Sequence, residues 1–133
     1  MQDRGAQAGF TLIEMVIVMT IIGILMAIAI PSYAEYVRRN NRSTAQAFLV
    51  DVASRQQQYL LNRREYGALA DLAITVPDPV STHYTVTVTP ELPANAPPRF
   101  TLTAAPRGGQ VADRCGTLTL NQAGQKTPAT GCW

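Results

Sequence analysis

Hydrophobic positions are distributed unevenly along the chain. From Phe10 to Ile30 the residues are almost all apolar and Glu14 is the only charged one. A helix of about 20 such residues rises ~1.5 Å per residue and reaches ~30 Å, the hydrocarbon thickness of a bilayer. Tyr33 and Tyr36 follow, then Arg38, Arg39 and Arg42, an order that suits a membrane interface and its headgroups. Pro31 sits at the junction. It has no N–H to give the carbonyl of Ala27 and its ring crowds that turn, so a bend is expected there. Beyond it the pattern becomes amphipathic. Ala45, Phe48, Leu49, Val52, Tyr59 and Leu60 recur at helical spacing, with Arg42, Gln46, Arg55, Gln57, Asn62 and Arg64 at polar positions. Gly67 reads as the stop. The pattern therefore predicts one helix from Phe10 to about Tyr66, apolar all round in its first half and striped in its second.

Period-2 patterns take over afterwards. Tyr84, Val86 and Val88 alternate with Thr85, Thr87 and Thr89, and Pro90 is expected to end that strand. Phe100, Leu102 and Ala104 alternate with Thr101 and Thr103, and Leu118 and Leu120 with Thr117, Thr119 and Asn121. Pro90 to Pro98 reads as a loop, and Gly108-Gly109 and Asn121 to Gly124 as turns. The expected fold is α+β: a long helix whose striped half packs on a small three-stranded antiparallel meander.

Length and composition narrow the functional classes. The chain has 133 residues, 47% of them hydrophobic, a net charge of +2 and two Cys. That excludes a disordered tail and a disulfide-dense miniprotein, and the net charge is too small to single out nucleic acid. Nothing assembles an active site: there is no Ser-His-Asp set, metal-ligand cluster, phosphate-binding Gly loop or Cys-x-x-Cys. His83, the single His, reads as a half-exposed strand residue. The Arg38, Arg39, Arg42 group reads as a solvated or headgroup-facing surface, or as partners for acids such as Glu35 and Asp51. The chain is expected not to be an enzyme and to need no cofactor or metal.

Gly9-Phe10-Thr11-Leu12-Ile13-Glu14, followed by Met15-Val16-Ile17-Val18, resembles the class III signal of type IV pilins and pseudopilins. An ordinary secretory signal fits poorly, because the small-residue break at Gly9 precedes the apolar run. The resemblance implies a leader over residues 1–9, cleavage by the prepilin peptidase after Gly9, and N-methylation of Phe10 as the mature N-terminus. It further implies a filament-core helix over 10–30, an amphipathic helix over 31–66 with its kink at Pro31, and a globular β region over 67–133. Two roles are open for Glu14. Thr11-Leu12-Ile13-Glu14 matches a capping box, with Glu14 at the positive end of the helix dipole. Alternatively Glu14 pairs with the α-amine of Phe10 in a neighbouring subunit during assembly, since buried charges persist chiefly when paired.

Cys115 and Cys132 in an exported chain are most simply a disulfide, against two buried thiols or a metal site lacking further ligands. The segment from Cys115 to Leu120 and the ending Gly131-Cys132-Trp133 resemble the disulfide-closed region of pilins, the Cys-Trp end being similar to minor pilins of Gram-negative bacteria. The resemblance implies a precursor in the inner membrane and then an extracellular pilus filament. Its partners would be other pilin subunits, the prepilin peptidase and the inner-membrane assembly machinery, in support of adhesion, twitching motility or DNA uptake. A competence pilin that binds DNA, or a type II secretion pseudopilin, are the alternatives; DNA is possible but not favoured.

Overall fold

The computed structural model describes residues 9–133. The leader expected over residues 1–9 lies outside the described residues except for Gly9. The chain divides into two compact units, one reaching to Tyr36 and one from Val37 to Trp133. A single helix, α1, runs from Leu12 to Arg63 and contributes to both.

In the first unit Thr11 opens α1: its hydroxyl accepts a hydrogen bond from the Glu14 N–H at 3.3 Å, half of a capping box. The following turns are apolar on every side, with a mean hydropathy of 2.7 in the best window and none of that window buried. Within this stretch the Thr20 hydroxyl donates back to the Val16 carbonyl at 2.8 Å, satisfying itself without leaving the helix. Pro31 lies inside α1, with helical residues on both sides.

In the second unit α1 buries Arg42, Ala45, Leu49, Val52 and Gln56. These positions step by three and four residues, so they form one stripe on a 3.6-residue helix. Periodicity makes the apolar centre of the stripe legible, but not its two polar ends. Against the stripe lies a four-stranded antiparallel sheet, β1 (Tyr84–Glu91), β2 (Arg99–Pro106), β3 (Leu118–Asn121) and β4 (Lys126–Thr127), ordered β1-β2-β3-β4. Tyr84, Val86, Phe100, Leu102, Ala104, Leu118 and Leu120 face inward and join Ala45, Leu49 and Val52 in one core. Tyr66 joins them edge-on to Phe100, ring centroids 4.7 Å apart. Each fully buried large apolar side chain contributes ~1.5–3 kcal/mol, so this layer dominates the stability of the unit. Registers pair Thr87 with Thr103, Thr103 with Thr119 and Thr119 with Thr127, giving the outer face a threonine band across all four strands. β-branched side chains that pair across strands stabilise such a face.

Four expectations need correction. The meander has a fourth strand, β4, too short at two residues to leave a period-2 signal. β1 continues through Pro90 to Glu91, with Pro90 opposite Phe100. β1 is an edge strand, where a missing N–H can face outward without breaking the ladder. His83 lies in the turn before β1, not within a strand. Finally, α1 stops at Arg63 and not near Gly67. The next residue, Arg64, takes the left-handed conformation (φ 60°) and its N–H bonds to the Leu60 carbonyl at 2.7 Å, an αL-type ending made without glycine.

Gly67 has a different duty. Its N–H donates to Gln56 Oε1 at 3.1 Å and its carbonyl accepts from Gln56 Nε2. A Cβ there would lie 2.9 Å from Asp71 Cβ and 2.9 Å from Leu72 Cδ1. Only glycine permits this approach. Short helix α2 (Asp78–Ser81) then leads into β1.

Candidate functional site

Three groups of residues carry the functional argument. The first is the start of the described chain. A Cβ added at Gly9 would meet nothing within 4 Å, and Phe10 is 77% exposed. Glu14 is exposed, near the N-terminal end of α1. Among the described residues nothing covers this apolar segment. An uncovered helix that is apolar all round requires lipid or other protein around it.

The second group has no counterpart in the sequence pattern. Arg42, expected at a polar surface position, is buried and bonds through Nη1 to Asp113 Oδ1 at 2.6 Å, the two side chains only 7% and 3% exposed. Asp113 also accepts from the Cys115 N–H at 3.2 Å and from Gln110 Nε2 at 3.0 Å. The same Gln110 nitrogen lies 2.9 Å from the Arg38 carbonyl and 2.9 Å from the Tyr84 hydroxyl, while its Oε1 accepts from Asn41 Nδ2. Burial raises the Tyr84 pKa above its ordinary value, the Gln110 hydrogen bond opposing it and the nearby Asp113 charge adding to it. This network ties the 3-10 turn Gly108–Ala112 and the loop to Cys115 onto α1. Buried charges survive when paired and fully hydrogen-bonded, and among the described residues no buried side-chain polar atom lacks a partner. No sequence signal reveals it, because the two ends of the ion pair are 71 residues apart. By contrast Asp51 pairs with Arg55, one helical turn away on the exposed side of α1.

The third group is the C-terminal hook. Cys115 and Cys132 form a disulfide, Cα atoms 5.7 Å apart. The Cys132 carbonyl accepts from Gln46 Nε2 on α1. Trp133 donates from Nε1 to the Thr127 carbonyl at 3.0 Å, and Lys126 Nζ stands 5.0 Å from the Trp133 ring centroid, a cation–π distance. The exposed charge on the chain after Glu91 is one-sided. Asp113 is the only acidic residue after Glu91; it is buried against Arg42, and Glu91 faces Arg99 at 3.6 Å. Arg107, Arg114 and Lys126 are exposed with no acid of their own segment left to balance them. Among the described residues no group of three or more His, Cys, Asp or Glu is placed to hold a metal ion.

A long helix with an uncovered apolar half, a four-stranded antiparallel meander on its other half and a disulfide-closed end define a type IV pilin. A solved type IV pilin from Shewanella oneidensis matches with a TM-score of 0.57 at 29% identity, over 72% of this chain and 97% of that one. Residues 31–119 match the family model described as type IV minor pilin ComP, DNA uptake sequence receptor, and the chain belongs to that family. Residues 4–30 match the prokaryotic N-terminal methylation motif. Among curated relatives, the fimbrial protein EcpC of Eikenella corrodens is 62% identical over 42 residues, 32% of this chain and 28% of that protein. A fimbrial protein of Neisseria meningitidis serogroup B is 43% identical over 60 residues, covering 45% of this chain and 35% of that protein. The type IV major fimbrial protein FimA of Dichelobacter nodosus is 41% identical over 64 residues, 48% and 41% of the two chains. The matched stretch thus spans well under half the length of these relatives. The family and fold are those of structural proteins.

Proposed function

We propose that the chain is a minor pilin: held in the inner membrane as a precursor, cut between Gly9 and Phe10 by the prepilin peptidase, methylated on Phe10 and packed into a type IV pilus. The observation that carries this reading is the apolar first half of α1, which matches the methylation motif and has no cover of its own. Joining one copy's helix to the next is a heterologous, non-closing contact, which makes a filament instead of a ring. Pro31 bends α1 where the filament core meets the outer layer. Glu14 pairs through its carboxylate with the freed α-amine of Phe10 on a neighbour, while its N–H is capped by the Thr11 hydroxyl. Mass spectrometry of pilus-borne protein tests the processing: a chain beginning at N-methylated Phe10 is expected, and a retained leader refutes it. Glu14→Val tests assembly, since membrane insertion should survive while filament incorporation drops.

A second reading has its own support. The family model is named for a receptor of DNA uptake sequences; Lys126 stands over the Trp133 ring, and Arg107 and Arg114, which precede the hook in sequence, are exposed. In this reading the minor pilin captures DNA on its C-terminal face. Binding of a DNA duplex should weaken with salt, each phosphate contact contributing a slope of about −0.9. Arg114→Ala and Lys126→Ala should each reduce that slope by about one. An unchanged slope in both variants removes the hook from the reading.

A further inference from the structure

The connection from α1 to β1 forms a small groove that neither assembly nor DNA capture uses. Arg55, Tyr59 and Asn62 on α1 form one wall, and Asp71, Leu72 and Ala73 the other, around a cavity of about 280 Å³. That is just under the range of drug-sized ligand sites.

Two features set this groove apart from an ordinary surface crease. The loop wall is held rigidly: Gln56 grips both backbone polar groups of Gly67, and Asp71 Oδ2 accepts from the Ala68 N–H at 2.8 Å. Such pre-organisation lowers the entropic cost of binding. Independently, Ala73 holds φ 52°, a left-handed conformation costly for a residue with a Cβ. Strain of this kind persists where the surroundings enforce it and clusters at ligand sites.

The lining chooses the ligand chemistry. Arg55 already faces Asp51 at 3.0 Å, and Asp71 stands on the opposite wall, so the groove offers no excess positive charge to a phosphate. It offers a guanidinium, a carboxamide, a phenol and a carboxylate, donors and acceptors together within one small volume. Tyr59 and Leu72, both half-buried, supply an apolar flank. Paired donors and acceptors beside an aromatic surface suit a neutral ring bearing several hydroxyls and a C–H face. We infer that this groove binds a neutral saccharide residue, presented as the end of a glycan chain.

The test uses the full chain in lauryldimethylamine oxide micelles, which carry no sugar headgroup. Saturation-transfer NMR is run with galactose, mannose, N-acetylglucosamine and N-acetylgalactosamine, and with a single-stranded DNA oligonucleotide as a contrasting probe. At least one sugar should receive saturation at its ring protons. Its affinity should fall roughly five- to tenfold in Asn62→Ala and in Arg55→Ala, the scale of one lost hydrogen bond. Tyr59→Leu, which keeps apolar bulk against Gly67, should lose it too, while Lys126→Ala on the hook leaves it unchanged. Circular dichroism melts identify any variant that has merely unfolded, and Asn62→Ala, exposed on the helix surface, should melt like the parent. Absence of saturation for all four sugars overturns the inference. So does binding that is indifferent to Asn62, Arg55 and Tyr59, or an oligonucleotide that occupies the groove in place of every sugar. Because the hook is tested by salt-dependent DNA binding, failure here leaves that reading intact, and the reverse holds.

Discussion

Removing either end of the Arg42–Asp113 pair should be among the most damaging single changes in the globular unit. With the side chains 7% and 3% exposed, Arg42→Met leaves a carboxylate in the core with two N–H donors, from Cys115 and Gln110, but no countercharge. Asp113→Asn leaves a guanidinium there with none. Breaking a buried pair from one side costs ~3–5 kcal/mol. A unit of this size has a net stability of ~5–15 kcal/mol, so much of it would go. At ~4–8 °C per kcal/mol, the melting temperature should fall by at least ~12 °C. Urea unfolding of the parent, both single variants and Arg42→Met/Asp113→Asn gives the cycle. The double variant should lose less than the two singles together, since the second change removes an already orphaned charge. The loss should also vary little with salt, because a dry pair is poorly screened. The exposed Asp51–Arg55 pair is the internal control: Arg55→Ala should cost less than ~1 kcal/mol. If Arg42→Met costs no more than Arg55→Ala, the pair is not acting as a buried clasp and the argument that it holds the 3-10 turn and the Cys115 loop onto α1 fails.

Three further outcomes can be checked on the same protein. Cys115→Ser, Cys132→Ser and the double variant should each lose ~3 kcal/mol by denaturant unfolding, because each removes the same bond; clearly unequal losses would mean that one side chain acts by packing instead. Tyr84 has a raised folded-state pKa, so its contribution is fully present below the unfolded value of about 10 and is lost as pH climbs through the folded value. Stability measured across that alkaline window should fall less steeply in Tyr84→Phe. Gly67→Ala should cost ~1–3 kcal/mol through collision with Asp71 and Leu72, whereas Ala73→Gly, which relieves φ 52°, should be neutral or stabilising; thermal melts of the two separate these opposite signs.

How much is legible in the sequence depends on whether a signal is local. The apolar run from Phe10 and the stripe Ala45, Leu49, Val52 announce themselves because burial on a helix repeats every three or four residues. The three longer strands do so because threonine alternates with apolar residues. The Arg42–Asp113 pair has no such signature. Arginine on a striped helix looks like a solvated residue until a partner from a distant turn is brought over it. β4 is two residues long and exists because β3 offers it an edge. The helix runs to a different stop from the one expected because glycine is the usual αL residue, and here Arg64 takes that conformation while Gly67 is kept for contact with Gln56. Of the candidate residues, Cys115 and Cys132 are joined in the structure. Gly9, Phe10 and Glu14 are legible as a contiguous motif, and Pro31 as a proline inside a helical pattern, where α1 carries it.

The grip of Gln56 on Gly67 is made entirely with main-chain atoms of the loop. It therefore sets where the α1–β1 connection leaves the helix without depending on the side chains that come after. Leu69, Ile74 and Val76 still pack against the core, so within the connection the exposed Ala70 and Thr75 are the positions that can change character while α1 and the sheet keep their packing, provided glycine stays at the anchor. Diversity on the surface of such a subunit can accumulate at those two positions at little cost to folding, because neither supplies apolar area to the core.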